Sequence, residues 1–214
     1  VYNGACNLAI ALEEIDTIGL PNSLQAHMAM QLEEVSTDCA ACLKAASVMG
    51  LQFPAVVLSA LSDDVFGSEE TKEEKREALL KEALAAKLLE KVSTSNPWGK
   101  FLDNERRSGD GERSGGVYRF STWMLQEVAY NALPFEERRQ KHLAIAKWIE
   151  RTLSIVLEDK APDTHLRLWL YPMLADHWMQ MTGEAAATAV SYWEGAARAA
   201  LQQNQNHEAI GFGT

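Results

Sequence analysis

The sequence predicts a mostly α fold: a winged helix-turn-helix with a small β-hairpin wing, running into stacked helical hairpins. Three observations predict it. Apolar residues recur at helical spacing along most of the chain. One short alternating segment, 116–122, follows a polar stretch that has no periodicity. Rows of alanine interspersed with large aromatics then occupy the C-terminal quarter.

Asn22 or Ser23 caps a first helix through Val35, with Leu24, Met28, Leu32 and Val35 along one stripe. Thr37 or Asp38 caps a second, Cys39 to Met49, closed by Gly50. Pro54 suits the first turn of a short third helix through Leu61. A long fourth helix, Glu69 to Lys91, sets Leu79, Leu80, Leu84, Leu88 and Leu89 on an apolar face. Residues 93–115 are polar and rich in Ser, Gly and Asn, which reads as a loop. Gly116 to Thr122 alternates and is rich in β-branched and aromatic residues, so it is a strand, with Leu88 to Val92 as its partner in the wing. Helices resume at Trp123 to Leu133 and at Phe135 to about Glu158, separated by Pro134.

Ala161-Pro162-Asp163 is a linker signal. Beyond it, helices are expected at about 165–181 and 184–203, turned by Thr182-Gly183, with another starting near His207. The small residues Ala185, Ala186, Ala187 and Ala189, then Ala196, Ala197, Ala199 and Ala200, permit close helix packing. Trp169, Trp178, Tyr192 and Trp193 supply the knobs, as in a helical solenoid.

At 214 residues, 47% apolar and 23% charged, the composition is that of a globular protein. The longest uncharged apolar runs, such as Phe53 to Leu61, reach about ten residues against the roughly 20 that span a bilayer. No membrane partner is expected. The chain begins at Val1, has no presequence, and stops just after a helical pattern restarts, so an internal piece of a longer cytoplasmic protein is expected.

A formal charge of −10 argues against a nucleic-acid partner. The helix that would enter a groove, 69–91, carries seven acids and six bases at i, i+4 spacing, which is a solvated mixed face. The loop balances Lys100, Arg106, Arg107 and Arg113 against Asp103, Glu105, Asp110 and Glu112. No DNA binding is expected.

Three cysteines, Cys6, Cys39 and Cys42, make no even disulfide set. Cys39-Ala-Ala-Cys42 matches C-x-x-C, yet it lies in a helical pattern without a second pair or a nearby histidine. It reads as two small buried hydrophobes, not a metal or redox site. Among His27, His142, His165, His177 and His207 there is no metal-type spacing. His27 and His142 are expected partly exposed on helices, and His177 packed beside Trp178. No serine sits in a nucleophile-elbow pattern, so no catalytic residue and no metal is assigned. Trp148, with Ile145, Ile149 and Leu153, is expected in the core. Trp98, alone in the polar loop, is the residue expected as an exposed anchor for another protein, because tryptophan is favoured at interface centres.

The stretch Tyr118-Arg-Phe-Ser-Thr-Trp-Met-Leu-Gln-Glu-Val-Ala-Tyr130, followed by Leu133-Pro-Phe-Glu-Glu-Arg-Arg139 and His142, resembles signal-transduction ATPases of the STAND/AAA+ type, as in soluble adenylyl cyclase-like proteins and bacterial transcription regulators. Leu20-Pro-Asn-Ser-Leu-Gln-Ala26 and Ala45 to Pro54 are similar to that family's winged-helix entry. Ala175-Asp-His-Trp178, Gly183-Glu184 and His207-Glu-Ala-Ile210 resemble its approach to tetratricopeptide (TPR)-like repeats. The resemblance implies three parts: 1–19 as the end of an ATPase lid, 20–158 as a winged-helix domain with a loop insertion at about 93–115, and 163–214 as the start of TPR-like repeats.

In that family the winged helix closes over a nucleotide held by an upstream Walker A loop. No G-x-x-x-x-G-K-[ST] occurs here, so the resemblance implies no cofactor in this segment, with ATP or ADP belonging to the parent. Two nucleotide-facing positions can be carried over. The family's Gly-x-Pro turn falls on Gly4-Ala5-Cys6, so Gly4 is kept and Cys6 replaces the proline. The family's phosphate-bonding histidine falls on Thr122, which can donate one hydrogen bond but cannot become a cation. The resemblance therefore implies a degenerate nucleotide site in a scaffolding connector for other proteins within a large assembly, with a cytoskeletal or ciliary home and a tie to cyclic-nucleotide signalling. The alternative it leaves is an ATP/ADP-gated switch.

Overall fold

A computed structural model describes residues 22–61, 69–93, 98, 116–159, 164–181 and 183–202. The expected lid remnant at 1–19, the linker at 161–163, most of the loop at 93–115 and the helix near His207 lie outside the described residues. Within them the chain is mostly helical, with one small antiparallel sheet. No described helix is long and apolar enough to cross a membrane.

Helix α1 spans Asn22–Glu33 and α2 spans Thr37–Ser47. The cap of α2 is Ser36, one residue before the expected Thr37; its hydroxyl accepts from Cys39 N at 3.2 Å, filling one of the unpaired amides at the helix start. The same hydroxyl donates to Glu82 at 2.8 Å, which fastens the start of α2 to a distant helix and explains why Ser36 holds the cap. Gly50, at φ 101°, ends the segment as expected.

The predicted helix from Pro54 is corrected. Gln52–Pro54 is a strand, β1, and helix α3 begins only at Val57 and runs to Leu61. Phe53 pairs with Tyr118, so the partner that makes this segment extended lies far along the chain and leaves no local periodicity. Proline is tolerated because β1 is an edge strand.

Helix α4 spans Glu69–Ala85 and stops short of the expected Lys91. Its last turn closes with Lys87 N donating to Leu84 O and Leu88 N to Ala83 O, both at 3.0 Å. This paired closure needs a left-handed residue after the helix, and Lys87 adopts it at φ 58°. Of the leucines expected at the helix end, Leu88 thereby falls in the turn and Leu89 opens the strand β2, Leu89–Val92. Strand β3, Val117–Phe120, lies between β1 and β2. The predicted pairing of 88–92 with 116–122 thus forms, in the register Leu89 with Phe120 and Val92 with Val117, and β1 is added to it.

Helix α5 spans Trp123–Asn131 and packs on α1 and α2; α6 spans Phe135–Asp159 and packs on α3. Helices α7, Thr164–Met179, and α8, Glu184–Gln202, form a tight hairpin laid on α6 through α7. A Cβ at Gly195 would stand 2.6 Å from the Tyr171 ring, so only glycine permits this approach. Ala189, Ala196, Ala199 and Ala200 are buried along the same helix, as their small size predicts. One core gathers Leu43, Phe53, Leu58, Phe120, Leu125, Ile145 and Ile149 and continues into Leu170 and Leu174 of α7. The hairpin therefore shares its apolar interior with the helices before it.

Candidate functional site

Thr122 precedes α5 in extended backbone, φ −140° and ψ 150°, and caps the helix: its Oγ1 accepts from Leu125 N at 3.2 Å. Gln126 Nε2 donates to Ser47 O at 2.7 Å and ties this first turn to the end of α2. Trp123 beside the cap is 57% exposed. Gly4 and Cys6, the other positions expected to face a nucleotide, lie outside the described residues, so the expected three-residue set is represented by Thr122 alone.

At its other end α5 presents Tyr130, whose hydroxyl lies 3.0 Å from Nε2 of His142 on α6. His142 Nδ1 lies 2.7 Å from Nδ1 of His177 on α7. A neutral imidazole carries one N–H, so a single proton occupies the gap between the two Nδ1 atoms, and Nε2 of His142 takes the complementary role toward Tyr130. The expectation that His142 is partly exposed is corrected: it is 8% exposed, and His177 is 5% exposed. Burial, then the nearby Arg138 guanidinium, pushes the His142 pKa down to about 4. Burial, then His142 itself, pushes His177 down to about 3. Arg138 sits 4.8 Å above the Tyr130 ring, a cation–π contact that holds its charge near the pair.

Further along α6, Glu150 Oε1 accepts from Trp178 Nε1 at 2.9 Å and from Tyr192 OH at 2.7 Å. One carboxylate thus binds α7 and α8 to α6. Burial, followed by the hydrogen bond to Glu150, raises the Tyr192 phenol above its ordinary value.

Trp98 is corrected most sharply. Expected as an exposed anchor, it is 4% exposed. Its ring meets Trp169 edge-on at 4.6 Å and lies 6.2 Å from Trp148. The apolar surface it joins is made by α6 and α7, which a reading of its polar sequence neighbours cannot reveal. Ile145, Ile149 and Leu153 are buried as expected, with Trp148 half-buried beside them.

Cys39 and Cys42 are buried, and burial is the main cause that pushes both thiols up to about 12. Cys39 Sγ donates to Leu79 O at 3.6 Å. Thiols this reluctant to ionise are poor nucleophiles and poor metal ligands. Among the described residues no group of three or more His, Cys, Asp or Glu is placed to hold a metal. A shallow groove along α1, α2 and α5 is floored by Ala29, Ala40, Val128 and Ala132, with Lys44 at its edge, and has no histidine or cysteine in its lining.

The joint of Tyr130, His142, His177 and Glu150 was not singled out from sequence. The available signal was the spacing of His142 with Ile145, Ile149 and Leu153, which puts the ring on the buried stripe of α6. Comparison of the chain with protein-family models, with curated proteins and with solved structures finds no match.

Proposed function

We propose that this segment is a connector: a winged-helix domain over 20–158, running from α2 through β3 with α1, α5 and α6 packed around it, joined to the first TPR-like hairpin, α7 and α8. The order helix, strand, helix, helix, strand, strand and the sheet order β1-β3-β2 support the winged-helix reading. The resemblance to soluble adenylyl cyclase-like STAND ATPases supplies the parent: an ATPase-like module upstream and a repeat array that binds other proteins downstream.

The observation that carries the reading is the role of Thr122. Its oxygen is engaged in capping α5, and it offers no positive charge where the family bonds a phosphate. A charge-assisted bond is roughly twice as strong as a neutral one, so a latch built on threonine holds nucleotide weakly. The segment then transmits shape between its neighbours and performs no reaction of its own. DNA recognition is disfavoured by α4, where Lys75, Arg76 and Lys81 are already engaged. Arg76 is 4% exposed and bonds Ser59 and Glu73, Lys75 pairs with Asp38 at 2.8 Å, and Lys81 pairs with Glu77 at 3.6 Å.

Calorimetric titration of the full-length protein with Mg-ATP and with ADP tests this. No saturable heat is expected from either nucleotide. Micromolar ADP binding that is lost in Thr122→Val would overturn the connector in favour of a nucleotide-gated switch.

A further inference from the structure

We propose that Tyr130, His142 and His177 form an acid-opened latch that holds the α7–α8 hairpin on α6. The latch spans three helices: Tyr130 on α5 bonds His142 on α6, and His142 bonds His177 on α7. It goes beyond the connector reading and is independent of whether any nucleotide is bound.

The gap of 2.7 Å between the two Nδ1 atoms holds one proton. A first added proton makes a buried imidazolium beside Arg138, whose charge repels it. A second added proton leaves two N–H groups pointing at each other, and the bond between α6 and α7 is lost. In water the same rings accept protons freely, so acid favours the state in which the hairpin has swung off.

The charged and titratable groups around the pair come from each packed element. Helix α5 contributes Tyr130. Helix α6 contributes Arg138, Lys141, which is taken up by Glu137 and Leu61 O, and Glu150 farther along. Helix α7 contributes Asp176, which points to the exposed side, and α8 contributes Tyr192 on Glu150. Residues 57–61 of α3 carry no titratable side chain. Among the described residues no carboxylate bonds either ring, so nothing offsets the cost of an imidazolium there. Both His142 and His177 are pushed below the ordinary histidine range, consistent with rings that are kept neutral while the latch is closed.

Native-state hydrogen exchange on the full chain tests the proposal, read as protection factors so that the intrinsic pH dependence of exchange drops out. Between pH 7.5 and 5.5, each ring that titrates near 6.5 only when open shifts the opening equilibrium about tenfold, so protection of α7 and α8 falls about 100-fold. Protection in α2, which contributes no residue to the latch, is expected to hold. In the double variant His142→Phe, His177→Phe the fall in α7 and α8 shrinks to less than threefold. An equal fall in the variant, or loss of α2 protection in step with the hairpin in the wild type, overturns the latch. Should the variant not fold, the imidazole nitrogen resonances of the wild type decide. Rings that stay neutral at pH 5.5 in the protected state support the latch, and rings that titrate near 6.5 with α7 and α8 still protected overturn it.

Discussion

His142 and His177, 35 residues apart, meet Nδ1 to Nδ1 at 2.7 Å inside the joint between α6 and α7. Two neutral rings in this contact share one proton, and both are buried. The pair makes the fold's cohesion depend on pH well above the range where carboxylates titrate.

The unfolded chain protonates these rings near pH 6.5, whereas the folded chain waits until about 4 for His142 and about 3 for His177. In between, the unfolded state holds more protons, so stability is full above 6.5 and declines as pH falls toward 4. Urea unfolding at pH 7.5 and 5.5 is expected to differ by roughly 2–3 kcal/mol for the two rings together.

Glu150→Ala strips the acceptor from both Trp178 and Tyr192. Two half-buried donors lose their partner, and the expected loss is about 2–4 kcal/mol by denaturant unfolding, concentrated in α7 and α8. Glu150→Gln keeps an acceptor oxygen and is expected to lose less than half as much.

Trp98→Ala separates core from surface. A buried ring against Trp148 and Trp169 is expected to cost about 3–5 kcal/mol on removal. An exposed anchor would leave thermal unfolding almost unmoved and change only binding to a partner. Fluorescence-monitored melting of the variant distinguishes the two.

Lys87→Gly relieves a left-handed backbone that a side chain disfavours. Because the closure of α4 into β2 already uses this conformation, glycine there is expected to stabilise the fold by about 0.5–1 kcal/mol, seen as a higher urea midpoint.

Several elements were legible because their signals are local. The apolar stripes marked α1, α2, α5, α6, α7 and α8 to within a few residues, and the alternation of 116–122 marked β3. Glycines at 50 and 183 marked turns. The errors at Pro54 and Lys91 have a different source, since both segments become strands through pairing with β3, a partner distant in the chain. Of the candidate site only Thr122 lies among the described residues; the family resemblance singled it out, and its role as the cap of α5 came from the structure.

Taken alone, then, the sequence determined the helical class, the order of the long elements and the burial of Cys39, Cys42 and His177, because side-chain polarity and helical period act between near neighbours. Tertiary structure alone decided that Trp98 is covered, that β1 exists, and that His142 meets His177 across two helices. Those outcomes depend on which surfaces distant helices bring together, and no local pattern encodes a partner 35 residues away.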